Sequence, residues 1–188
     1  MNVQFRDVTA PYASGLTMAP ATVGGTNYTY YLNGGDYYRS ELSLNGTKVM
    51  LVTNHCRLYI PGDVALTGNA LIRIAPNSSL KVYVGGSASF GGNGIINQSG
   101  CATNLYYYGL PSNTSLSISG NGAFIGAIYA PSAAFVMNGG GSSSTNDFIG
   151  ASVSKTVRMN GHFNFHYDEL LGRVGPSTGF DVTSWNEL

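Results

Sequence analysis

Charge is what this chain has least of. Only 10% of its 188 residues are Asp, Glu, Lys or Arg, and nine basic residues balance nine acidic ones. A surface so weakly charged offers no electrostatic footprint for nucleic acid or for an anionic membrane. Cysteine is nearly absent too. Cys56 and Cys101 stand 45 positions apart, no Cys-x-x-Cys occurs, and His55, His162 and His166 are not grouped with thiols, which excludes a zinc site of the usual spacing. No stretch approaches the roughly 20 apolar residues of a membrane-spanning helix. Met1 to Asp7 carry no basic segment followed by an apolar run, so neither a signal peptide nor an anchor is read there. Also missing are Gly-x-Ser-x-Gly, a phosphate loop ending in Gly-Lys-Ser/Thr, and His-Glu-x-x-His.

What the chain does have is a repeat. Two alternating apolar residues, a Gly/Asn corner and another short apolar run recur at Val64–Asn69, Ala88–Asn93, Leu116–Asn121, Phe135–Gly139 and Val157–Gly161. The corner glycines 68, 92, 120, 139 and 161 advance by 24, 28, 19 and 22 residues, a period that belongs to solenoids. Each turn of such a coil buries its apolar side only by stacking on its neighbours. The expected fold is therefore all-β: a single right-handed parallel β-helix with one short capping helix. Residues 1–27 read as an irregular Pro/Gly-punctuated lead-in, 28–188 as the β-helix domain, and 166–188 as its C-terminal cap. At period two, Leu58, Ile60, Ile72, Ile74, Leu80, Val82, Val84, Leu105, Tyr107, Phe124 and Ile128 fall inward. The helix is placed at Asp168–Gly172, where Asp168 can accept from free amides and Gly172 can close the end. The last strand-like run, ending at Trp185, is expected to fold back as cover. The 139–146 segment reads as an inserted polar loop.

With 43% apolar residues a sizeable core is available. Polarity comes from Asn, Ser, Thr, Gly and thirteen Tyr, uncharged groups that suit turns and neutral, sugar-like partners. The composition points outside the cytoplasm, to a trimmed piece of an exported protein. In that setting Cys56 and Cys101 could pair if the coil brings their Cα atoms within roughly 7 Å; buried free thiols are the other reading. Sequons at Asn27, Asn45, Asn77, Asn97 and Asn113 all fall in expected turns, where Asn belongs anyway.

Three clusters carry candidate chemistry. Tyr106 and Tyr108, flanking Tyr107, should share one face about 7 Å apart and offer stacking surfaces to a glycan or an extended polypeptide; the alternative is sheet stabilisation without a ligand. His166, Asp168 and Glu169 form a dense ionisable group, read first as a structural cap and second as a weak metal set; no metal site proper and no catalytic residue is assigned. For a polysaccharide lyase or hydrolase the acids of the rung region are only Asp63 and Asp147, with Asp168 beyond it, and such chemistry needs clustered carboxylates.

The phrases Gly126–Pro131 (G-x-I-Y-A-P), Asn138–Gly141 (N-G-G-G), Gly150–Lys155 (G-A-x-V-x-K), His166–Glu169 (H-Y-D-E) and Ser184-Trp185 resemble an uncharacterised bacterial surface domain. That domain ends pilus-assembly-associated, minor-pilin-like proteins, and a related pattern occurs in the choice-of-anchor A group of exported proteins. The resemblance covers most of the chain from about residue 28. It implies a cell-surface, extracytoplasmic location and β-helical architecture, and it transfers no catalytic residues. The expected function is a non-enzymatic structural or adhesive module of a surface or pilus-associated protein, needing no cofactor. Its expected partner is a glycan or an extracellular protein, not nucleic acid or membrane. The alternatives are a carbohydrate-active β-helix enzyme and a solenoid scaffold that polymerises through its ends.

Overall fold

A computed structural model describes residues 5–119, 123–139, 146–161 and 163–174. In chain order the elements are β1 (Ala19–Val23), β2 (Thr26–Tyr38), β3 (Leu42–Leu44), β4 (Val49–Ile60), β5 (Val64–Leu66), β6 (Leu71–Ile74), β7 (Ser79–Val84), β8 (Ala88–Phe90) and β9 (Gly94–Asn97). A 3-10 turn at Ala102–Asn104 leads to β10 (Leu105–Gly109), β11 (Ser115–Ser119), β12 (Phe124–Asn138), β13 (Asn146–Asn160), β14 (Phe163–His166) and α1 (Leu171–Val174).

Apart from β1, which pairs antiparallel with β2, every ladder between strands among the described residues is parallel and joins one turn of chain to the next, giving a β-solenoid of about five turns. Three walls result. Wall A stacks the first halves of β2 and β4 on β6 and β9. Wall B stacks the ends of β2 and β4 on β7, β10 and the first halves of β12 and β13. Wall C stacks β3, β5, β8, β11 and the ends of β12 and β13. The five repeated phrases lie in register on wall C. A sixth precedes them, Leu42-Ser43-Leu44-Asn45-Gly46, so the repeat begins one turn earlier than the five phrases indicate.

The interior follows from period two. Leu58, Ile60, Ile72, Ile74, Leu80, Val82, Val84, Leu105, Tyr107, Phe124 and Ile128 are all buried, as the alternation requires. Like side chains meet across rungs: Phe124, Phe148 and Phe165 stack at 5.2 and 4.8 Å between centroids. Each fully buried large apolar side chain contributes about 1.5–3 kcal/mol relative to exposure.

Corners are held by backbone conformation and by buried amides. Gly46, Gly68 and Gly92 stack with φ of 61°, 68° and 66°. A Cβ on Gly92 would press into the carbonyl oxygen of Gly68 directly below it. Of the other corner glycines, Gly161 has a φ of 117°, whereas Gly139 is outside the positive-φ group and Gly120 lies outside the described residues. Asn113 is fully buried; its amide donates to the carbonyls of Gly86 and Ser115 and its oxygen accepts from the Tyr107 hydroxyl at 3.1 Å. Asn97, 6% exposed, donates to the carbonyls of Cys101 (2.8 Å) and Ile125 (3.1 Å). These two sequons are therefore rung clamps with no room for a glycan.

The first rung is covered. β1 pairs with wall A of β2, and beside wall B the Leu16 amide donates to the Asp36 carbonyl while Tyr38 donates back to Leu16. The lead-in is thus partly a strand, ordered because it satisfies an edge that would otherwise stand open. At the other end, α1 begins three residues later than the sequence places it. Asp168 Oδ1 accepts from the Leu170 amide and Oδ2 from the Ala102 amide at 2.8 Å, which holds 168–170 as a turn against the 3-10 segment. The expected cover around Trp185 and most of the 139–146 loop lie outside the described residues.

Replacing Gly92 by Ala combines a left-handed φ with a blocked Cβ position, and is expected to cost about 1–3 kcal/mol. Gly94→Ala shares the φ, 60°, but meets nothing within 4 Å. Thermal unfolding should show a clearly larger fall in Tm for Gly92→Ala; equal falls would remove the stacking argument.

Candidate functional site

Period two sends every second residue of wall B outward, and the parallel register then lines those residues up along the coil. One outward column reads Tyr38, Tyr59, Tyr83, Tyr108, Tyr129 and Val153. Its neighbour reads Asp36, Arg57, Lys81, Tyr106, Ala127 and Ala151. Tyr106 and Tyr108 thus face outward and Tyr107 inward, as the alternation predicts. The five-tyrosine ladder itself escaped the sequence reading. Four of its five members stand two to three residues ahead of a Pro or Gly, Tyr59-Ile-Pro61, Tyr83-Val-Gly85, Tyr108-Gly-Leu-Pro111 and Tyr129-Ala-Pro131, while Tyr38 has no such neighbour.

The rings are oriented by their packing. Tyr83 and Tyr108 lie 4.7 Å apart and 17° from parallel, which only face-to-face stacking allows, and as register partners they stack along the coil axis. Tyr106 is 6.0 Å from Tyr108 and 9° from parallel, so its faces also point along the axis. Tyr83, Tyr106 and Tyr108 therefore turn their edges outward, in place of the outward flat faces expected from sequence. One face of Tyr106 carries the Lys81 ammonium, 5.8 Å from the ring centroid. The other looks across Ala127, too small to cover it.

That step from tyrosine to alanine opens a groove of about 650 Å³. Tyr106, Tyr108 and Tyr129 line it on one side, Ala127 and Ala151 form its floor, and Leu171 of α1 closes the far side. Its volume and mostly apolar lining, with hydroxyls and one ammonium at the rim, are those of a small-ligand or side-chain site. Burial pushes the phenols up: Tyr108 to about 12, helped by the neighbouring Tyr83 and Tyr106, and Tyr106 upward by burial and then by the Asp168 charge. Tyr12, against the same wall, is also raised to about 12 by burial and Asp36. At the start of the wall Arg57 pairs with Asp36, Nε to Oδ1 at 2.6 Å, and holds that carboxyl below its ordinary range.

The other candidates separate. Asp168 lies close enough to influence Tyr106 but is tied to two amides; Glu169 is exposed; His166 stands on β14 beside Ile149. Among the described residues no group of three or more His, Cys, Asp or Glu could hold a metal ion, so these three do not form a ligand set. Asp63 accepts from the Ser87 amide at 2.7 Å on the corner between walls B and C, and the Asp147 side chain lies outside the described residues. Cys56 and Cys101 are free thiols, which corrects the pairing considered above. Cys56 is in register with Leu80 and, two rungs on, with Leu105, so the stretch holding Cys101 lies about 10 Å away along the coil. Buried and bonded to the Gly34 amide and the Thr53 carbonyl, the Cys56 thiol is pushed up to about 11 by desolvation.

A family model described as "Domain of unknown function (DUF7305)" matches residues 12–174, and the chain belongs to that family. No curated protein and no solved structure matches it.

The folded chain holds the Tyr12 and Tyr108 protons above the ordinary phenol value of about 10. Their contribution to stability is intact below pH 10 and lost as pH rises towards 12. Tm should be level through the neutral range and fall between pH 10 and 12, with ultraviolet titration showing a late-ionising set of phenols; a fall centred below pH 9 would contradict the burial. With Ellman's reagent at pH 8, Cys101 should react well before Cys56, and a Cys101→Ser chain should stay almost unreactive until unfolded.

Proposed function

We propose, starting from its membership of this domain family, that the chain is a rigid, non-enzymatic β-solenoid module of an exported bacterial surface or pilus-associated protein, and that wall B is its adhesive face. The observation that carries the reading is the ladder of five tyrosines in one column with an aromatic-walled groove beside it. Tyrosine combines a large contact area with few rotatable bonds and a hydroxyl, which suits recognition by a surface that is not strongly charged. Support for the location comes from the charge-poor composition and from the resemblance of Gly126–Pro131 and Gly150–Lys155 to pilus-associated domains. Those phrases have physical roles here. Gly126 faces Leu105 with no space for a Cβ, Ala127 floors the groove, Ile128 enters the core and Tyr129 ends the ladder.

Two measurements test the two halves of the proposal. An antibody to this domain should label intact cells of the native host; labelling only after lysis would overturn the location. On arrays of immobilised glycans and extracellular-matrix polypeptides, Tyr106→Ala/Tyr108→Ala should lose at least tenfold in retention while keeping its circular dichroism spectrum. Unchanged retention, or no retention of the unaltered chain, would overturn wall B as the adhesive face.

A further inference from the structure

The tyrosine wall already has something lying on it. At one end of the ladder the Tyr129 hydroxyl donates to the Arg6 carbonyl at 2.7 Å, and the Phe5 ring meets Tyr129 edge-on, 6.4 Å between centroids. Near the other end the Tyr12 hydroxyl reaches the carbonyls of Tyr37 (2.7 Å) and Arg57 (3.0 Å), and its ring meets Tyr59 edge-on at 6.0 Å. Tyr59 and Tyr129 are three rungs apart, about 14 Å at the usual strand spacing. Six residue steps from Arg6 to Tyr12 reach at most about 20–22 Å. The segment between them therefore bridges the two anchor points with some slack, running along the coil and across the strands. Its midpoint, Val8, is half-buried while Asp7, Thr9 and Ala10 stay exposed.

We infer that wall B is a docking track for an extended polypeptide laid across the rungs, and that residues 5–12 are its resident occupant, displaced by a partner segment carrying aromatic side chains about seven residues apart. This rests on the reading of wall B as the adhesive face and names its partner class. The segment on the wall is itself a polypeptide, held by a tyrosine hydroxyl on its backbone carbonyl and by ring edges at both ends, which is the recognition chemistry a partner strand would reuse. Its hold is slight: five of its eight residues are exposed. It also leaves the groove over Ala127 and Ala151 without any of its side chains. A partner that filled that groove would make a contact the resident segment lacks, and this differential contact is what displacement requires.

The test uses the full chain and a fluorescein-labelled peptide of residues 1–14, read by anisotropy. Phe5→Ala/Tyr12→Ala weakens the resident segment and leaves the wall intact, so this chain should bind the peptide at least tenfold more tightly than the unaltered chain. The milder Tyr12→Phe, whose fold is under less strain, should shift affinity the same way by a smaller factor. Adding Tyr108→Ala to the weakened chain should return the affinity at least tenfold towards that of the unaltered one. Equal affinity for weakened and unaltered chains, or equal binding of a peptide with Phe5 and Tyr12 both replaced by Ala, would overturn the inference. If the peptide fails in this way while Tyr106→Ala/Tyr108→Ala still abolishes array retention, the track is wrong and the adhesive face stands. Loss of both sinks both.

Discussion

Everything in this molecule depends on successive turns of chain pairing in parallel register, like position over like position. Parallel ladders alternate inward and outward residues with no freedom to slip, because a one-residue shift would turn every apolar side chain to solvent. Once Leu58 stands under Val82 and Val82 under Tyr107, the intervening Tyr59, Tyr83 and Tyr108 have no choice but to form a column. The core and the wall are thus one constraint seen from its two sides. The adhesive surface proposed for wall B needs no separate device to organise it.

What sets the register is concentrated at the corners. A coil of this kind closes only if the chain turns at equal intervals, and the turns here use left-handed backbone at Gly46, Gly68 and Gly92 on one edge and at Asn54 and Asn77 on another. The turn lengths are not equal, so buried amides absorb the difference. The longest spacing between wall C phrases brings Asn113 into the interior, where it ties Gly86, Tyr107 and Ser115 together. Leaving such groups unpaired in the interior costs about 1–3 kcal/mol each, so the irregular turn is held as firmly as the regular ones.

Legibility in the sequence follows the same division. Features that repeat at fixed intervals could be read: the coil, its period, the inward residues and the opposite orientations of Tyr107 and its neighbours. The tyrosine ladder is periodic as well, but its period is carried by aromatics and is separate from that of the glycine corners. Features that depend on contact between distant segments left no periodic trace. Nothing in Phe5–Tyr12 announces that it lies along wall B, and nothing in Asp168 announces the Ala102 amide, 66 positions away. The disulfide was an open question for the same reason, since the number of residues between two thiols says little about how many rungs separate them.

The scarcity of charge has its reason in the stacking. On a wall where every outward residue lies about 4.8 Å from its counterparts above and below, a column of like charges would cost about 1–3 kcal/mol per neighbouring pair at solvent-exposed to intermediate dielectric. Among the described residues wall B shows the one place where two cations are stacked, Arg57 beneath Lys81, and how they are kept apart: Arg57 turns down to Asp36 and Lys81 turns up to the ring of Tyr106. Uncharged side chains meet no such penalty, and tyrosine gains from its neighbours in the column through ring contacts. A parallel coil therefore selects against charge and for aromatic and hydroxyl groups on its long walls. The same selection that keeps the coil stable leaves it with a surface suited to neutral partners.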